Sequence, residues 1–340
     1  AADRHELGTL RDYQGALDMM DDPSVKDALS REIVDTPQAD APAIPLAGDD
    51  RLDKHTRVDL LKQERAIAAK YQGGPMWGYV VAALAGFAVW VALFPLTMFG
   101  VFHPLITLVV STFLTVAGYV TCHEAMHDNI AKRGSKYRWA NQLVGEVSLL
   151  PIAVPFSMGR VTHLEHHKHC NHPENDPDYT DEAPNWWMAW YKTWWNRQPR
   201  VDGTINRYKT VCQKLDTREA RIALKQTMVV QLFYLATLFT MAWNGYAIAA
   251  LVCWWLPRQL GLSYIRYFLS WAPHHPREGK TERYEQAKIF KSHVGHFMSM
   301  AMETHLIHHL HPGIPNHKTK AAYQELKPIL EKRGVDCSAL

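Results

Sequence analysis

Gly118-Tyr119-Val120-Thr121-Cys122-His123-Glu124-Ala125-Met126-His127 marks the point where an apolar run turns into a histidine motif. Reading backwards, no Lys, Arg, Asp or Glu occurs between Trp77 and Cys122. A helix rises about 1.5 Å per residue, so roughly 20 residues cross a hydrocarbon core. The run therefore holds two crossings, separated where Pro95, Gly100, His103 and Pro104 interrupt it. Helices are expected over about 76–95 and 104–123, the second running into the histidines. Gln226 to Pro257 is again free of charged residues, with Asn244-Gly245 as a turn inside it. Helices over about 227–243 and 246–266 follow. The expected fold is an all-α integral membrane protein with about four transmembrane helices and a cytoplasmic helical cap.

Reading forwards, His123 and His127 are joined by His163, His166 and His167, and then by His305, His308 and His309. The spacings are H-x3-H, H-x2-H-H and H-x2-H-H. Residues three and four apart share a helix face, so each box can aim its imidazoles at one point. Neutral imidazole is the commonest metal-binding side chain near neutral pH. Eight histidines exceed what one tetrahedral ion takes and suit two ions with open positions. Glu124, Asp128, Asp176 and Asp178, with Glu165 and Glu303, lie close enough in sequence to orient the imidazoles. Two rival classes remain open: a non-enzymatic membrane scaffold, and a membrane zinc metalloprotease. The latter would use His123-Glu124-Ala125-Met126-His127 as an H-E-x-x-H motif, with Glu124 as base. That reading leaves the other two boxes without a role.

The remaining sequence sets the boundaries. Residues 1–75 form a polar arm, 76–320 the membrane domain and 321–340 a C-terminal tail. Within the arm, Pro37 to Pro45 reads as a linker. Residues about 50–72 read as a solvated amphipathic helix with Leu60, Leu61, Ala66 and Ala69 on one side. The apolar piece 143–158, with Glu146, Pro151 and Pro155, is too short to span and reads as re-entrant or interfacial. Trp186, Trp187, Trp190, Trp194 and Trp195 suit an interfacial helix. The formal net charge of +3 gives no nucleic-acid signature. Five cysteines without a C-x-x-C pair fit a reducing compartment. With four crossings, all three boxes fall on the same side as the N-terminus. The opposite loops, near 96–103 and 244–245, carry no Lys or Arg, which puts the boxes on the cytoplasmic side of the inner (cytoplasmic) membrane.

The boxes, their order and the four-crossing layout resemble the membrane fatty acid desaturase superfamily, which includes acyl desaturases and carotenoid hydroxylases and ketolases. The resemblance covers about residues 76–320. His172-Pro173-Glu174-Asn175-Asp176-Pro177-Asp178, Ser270-Trp271-Ala272-Pro273-His274-His275-Pro276 and the third box with its Pro312-Gly313-Ile314-Pro315 tail are similar to stretches of cyanobacterial-type beta-carotene hydroxylases. The first box departs from the pattern, with Glu124 where Asp is usual and Asp128 after the second His. The resemblance implies two iron ions in a non-haem diiron centre and O2 as cosubstrate. It also implies a ninth imidazole, assigned to His274 with His275 as alternative. The implied reaction is desaturation or hydroxylation of a long apolar lipid, with Trp271 and the re-entrant segment as candidate pocket walls. No iron–sulfur or dinucleotide motif is present in the sequence, so a separate electron donor such as a ferredoxin is implied. The basic stretch Lys132 to Arg138 would either dock it or anchor to anionic lipid.

Overall fold

The computed structural model describes residues 52–73, 76–132, 134–198 and 200–340, and these contain helices and turns but no strand. The linker at 37–45 and Arg133 of the basic stretch lie outside the described residues. α1 is Lys54–Tyr71, capped by Asp53, which accepts from Thr56 N at 3.0 Å. α2 (Trp77–Met98) and α3 (Pro104–Met126) are the first two long apolar helices. Pro104 opens α3 in its first turn, where a missing N–H costs nothing, and His103 Nδ1 accepts from Leu105 N. α4 (Trp139–Leu149) and α5 (Phe156–His169) meet at 96°. α6 is Trp186–Trp195, α7 Thr204–Leu215 and α8 Arg218–Trp243. After a turn in which Gly245 takes φ 88°, α9 runs unbroken over 247–274, alternating α and π segments. α10 (His305–Leu310) and α11 (Thr319–Lys332) close the chain.

Several helices outrun their expected ends. α2 continues past Pro95 to Met98, because a proline in the last turn removes one bond while Phe99 N still donates back to Pro95 O at 2.9 Å. α3 extends to Met126, so the first box sits on its final turns. α8 begins at Arg218 rather than 227: Thr217 caps it by accepting from Ala220 N at 3.1 Å, and its charged first turns are still good helix formers. α9 carries its helix beyond 266 to His274.

α2, α3 and α8 are each long and apolar enough to cross a membrane, and the bent pair α4–α5 adds a fourth candidate if it counts as one span. Their large apolar side chains face outward: Val81, Val109, Phe113, Leu232 and Phe239 are 58–68% exposed. In water each Å² of that surface would cost about 25 cal/mol. A bilayer removes the cost. α3 and α4 touch closely, since a Cβ on Gly118 would come within 2.8 Å of Ser148 O.

At one end of these helices, Ala68 of α1, Leu306, Ile307 and Leu310 of α10, and Tyr323, Leu326 and Leu330 of α11 share a core. The solvated reading of α1 is corrected here. Its buried side is Leu60, Glu64 and Ala68, and α1 lies against α11. Glu64 is the polar knot of that core. It accepts from Tyr284 OH at 2.9 Å and lies 2.9 Å from His311 Nε2, 3.2 Å from Arg283 Nη2 and 3.5 Å from Arg333 Nε. Position 320 falls within α11, whose apolar face completes the same core.

Candidate metal centre

α3 brings His123 and, at its end, His127; α5 brings His163, His166 and His167; α9 ends on His274; α10 brings His305, His308 and His309. All nine imidazoles meet in one buried cluster between these four helices. They fall into two groups. In the first, His123, His127, His163 and His308 bring their nitrogens within 4.8 Å of one another. His127 Nε2 is 2.8 Å from His163 Nε2, and His167 Nε2 joins them at 3.2 Å from His163 Nε2 and 3.0 Å from His308 Nε2. In the second, His166, His274 and His309 converge in the same way, and His305 Nε2 lies 3.2 Å from His309 Nε2.

These spacings suit metal binding. Two nitrogens bound to one ion at about 2.0–2.1 Å lie about 3 Å apart. Packed without an ion, neutral imidazoles offer one donor and one acceptor each, and so many Nε2 atoms facing inward cannot satisfy one another. His123 Nε2 and His274 Nε2 are indeed buried with no partner. Burial holds His305, His308 and His309 well below the ordinary imidazole value, with neighbouring imidazoles adding to the shift, so they are neutral donors. A nitrogen-rich set of this kind accommodates iron, zinc, copper or nickel.

Second contacts fix some of the rings. His166 Nδ1 lies 2.8 Å from Asp176 Oδ1, which turns Nε2 to the cluster. Asp176 also accepts from Asn171 N and Asp178 N at 2.8 Å and from Arg277 Nη1 at 3.2 Å. Burial opposes its ionisation, but His166 and Arg277 outweigh it and hold the carboxyl at about 2. His274 Nδ1 donates to Gln286 O at 2.6 Å, leaving Nε2 free to face inward. His275 points elsewhere: it stacks on Trp271 and lies 3.1 Å from Glu182 Oε1, so His274 alone reaches the cluster.

Among the contacts of the described residues, Asp176 is the one of the six carboxylates singled out from sequence that meets a box imidazole. Glu124 accepts from Asn316 N at 2.7 Å and Asn129 Nδ2 at 2.9 Å, so both its oxygens are occupied. The zinc-protease reading, which needs this carboxylate as its base, is therefore not favoured. Asp128 pairs with Arg160 at 2.6 Å, and Asp178 accepts from Tyr208 OH at 2.7 Å. Glu303 holds His296, and Glu165 holds Lys168. Cys170 was missed: its buried Sγ sits 3.9 Å from His166 Nε2 and 3.5 Å from His274 Nδ1. The signal was its place four residues after His166, on the same helix face.

A cavity of about 480 Å³ opens onto the cluster at His123, His163, His166 and His305. Leu149, Ile152, Val154 and Met158 of the bent α4–α5 segment line it. Trp271 does not; its Nε1 donates to Ala183 O at 2.9 Å.

Comparison with known proteins places this arrangement. Over 237 residues the chain is 24% identical to the sn-1 oleoyl-lipid 12-desaturase of Anabaena variabilis, covering 62% of this chain and 64% of that protein's length. Over 78 residues it is 33% identical to the sn-1 acyl-lipid omega-3 desaturase (ferredoxin) of Nostoc sp. (23% of this chain, 20% of the relative). Over 74 residues it is 35% identical to the zeaxanthin 4-ketolase of Chlamydomonas reinhardtii (22% and 16%). A sequence model described as "Fatty acid desaturase" matches residues 99–340, which contain every histidine of the cluster, and on that match the chain belongs to the fatty acid desaturase family.

Proposed function

We propose that this chain is an integral-membrane, non-haem diiron oxidoreductase that uses O2 to desaturate or hydroxylate a long apolar lipid, a fatty acyl chain or a carotenoid. The observation that carries the reading is the apolar cavity that ends on the imidazole cluster. His123, His127, His163, His167 and His308 would hold one iron, and His166, His274, His305 and His309 the other. When bound, the two irons supply the activation of dioxygen needed to attack an unactivated C–H bond. The chain's own residues do the rest. Leu149, Ile152, Val154 and Met158 hold the apolar chain against the cluster and exclude water from it. Asp176 and Gln286 O keep His166 and His274 in the tautomer and orientation the site needs.

In this reading α2, α3, α8 and α9 are the crossings and the bent α4–α5 pair is re-entrant, which would put the three boxes on one face. The loops on the other face, 99–103 and 244–246, lack Lys and Arg, which supports a cytoplasmic cap in the inner membrane. Electrons come from a separate donor; a relative named for ferredoxin supports that class. The test is metal analysis of detergent-purified protein, together with lipid analysis of cells expressing it and fed fatty acids and carotenes. About two irons per chain and a new double bond or hydroxyl are expected. One zinc per chain, or iron without any oxidised lipid, would overturn the reading.

A further inference from the structure

The cavity is lined by apolar side chains and by four cations. Arg197, Lys209, Arg258 and Arg266 line it, against one carboxylate, Asp178. Arg266 is neutralised: it donates to Asp181 at 2.8–2.9 Å and lies 3.6 Å from Asp178. Lys209 is exposed to solvent. Arg197 and Arg258 have no carboxylate partner among the described residues. Arg197 donates Nη2 to Gln259 O at 3.2 Å and to Ser263 Oγ at 2.9 Å, while its Nε and Nη1 are buried with no partner. Burial pulls its proton affinity down to about 9, with Arg266 and Arg258 adding to it, as expected for a cation lacking a counter-ion. Arg258 donates Nε to Ile152 O at 2.8 Å and lies over the Tyr234 ring at 5.2 Å. Two desolvated guanidinium groups with unused N–H donors are costly unless something negative meets them.

We infer that Arg197 and Arg258 seat an anionic oxygen head group, carboxylate or phosphate, so that the lipid substrate is an acyl amphiphile rather than a neutral carotenoid. This rests on the lipid-oxidation reading above and adds the substrate's class. Arg258 and Ser270 lie on the same helix and both line the cavity, about 18 Å apart at 1.5 Å per residue. With the head at Arg258 and the imidazoles beyond Ser270, the chain is oxidised far from its head group.

The test is binding to the iron-loaded full chain in detergent, by displacement of a fluorescent fatty acid. The competitors are oleate, dioleoyl phosphatidate, methyl oleate and beta-carotene. Oleate, phosphatidate or both bind about tenfold or more tightly than methyl oleate, and which of them does so separates a free acid from a phospholipid. Arg197→Gln and Arg258→Gln bring the anion down to the level of the ester and leave ester binding and iron content unchanged. Arg197→Lys keeps the preference. Equal binding of oleate, phosphatidate and methyl oleate by the wild type, or tightest binding by beta-carotene, overturns the inference even if both Gln variants fail to fold. So does an anion preference that survives Arg197→Gln. The binding readout needs no turnover, whereas loss of iron or of lipid oxidation in the wild type would count against the oxidoreductase reading instead.

Discussion

The two groups of imidazoles are built differently. In the first, His127, His163, His167 and His308 touch mainly one another, Nε2 to Nε2 at 2.8–3.2 Å. In the second, two rings are held from outside: His166 by the buried carboxylate of Asp176, and His274 by Gln286 O, with Cys170 wedged beside both. The first group is therefore assembled by helix spacing and packing. The second depends on a network that reaches Asn171, Arg277 and the loop at 280–286. If each group holds one metal, as proposed above, damage to that network should act on the second site and spare the first.

The largest expected effect breaks the groups one at a time. His308→Ala removes a donor from the first group and His309→Ala one from the second. Each should lower metal content by about one ion per chain and cut lipid oxidation by at least about 100-fold, measured by metal analysis and product chromatography. Loss of both ions in either variant would mean that the groups form a single cooperative unit.

Asp176→Asn sharpens the comparison. It keeps the shape but weakens the hold on His166, so metal affinity at one of two sites should fall about 10–100-fold, read by chelator competition. Glu124→Gln provides the contrast. Metal content should stay at the wild-type level and activity should fall less than tenfold, whereas loss of a general base costs about 10²–10⁴. A larger loss with metal retained would return Glu124 to the chemistry.

The smallest effect concerns the scaffold beneath the third box. Glu64 is held below its ordinary value: burial works against ionisation, but His311, Arg283 and Tyr284 outweigh it. A depressed carboxyl contributes stability that is present above its unfolded value, about 4.3, and is lost as pH falls through the folded one. The melting temperature should therefore drop as the pH falls below about 4. Glu64→Gln should melt lower at pH 7, by about 3 kcal/mol of lost stability, and show a flatter acid limb. An unchanged acid limb would show that Glu64 carries none of it.

Much of this was legible in the chain. The charge-free run from Trp77 and the spacing of the boxes are local patterns. They fix which segments are apolar helices and which face each imidazole takes, because a helix's period is set by its own backbone. His274 was reached only through a resemblance, since nothing local marks it. The carboxylate roles were not legible, because adjacency in sequence says nothing about where an oxygen points. Asp176 turns to His166, while Glu124, one residue from His123, turns to Asn129 and Asn316.

The sequence by itself determined that the chain has long apolar helices and histidine sets with ligand spacing. Only the tertiary structure decided how nine imidazoles divide between two groups, that α1 packs through Glu64 onto the C-terminal helix, and that Arg197 and Arg258 line the cavity with no carboxylate partner among the described residues. Those outcomes depend on contacts between residues far apart in the chain, and hydrogen-bond and charge partners there are chosen by packing geometry rather than by any period along the backbone.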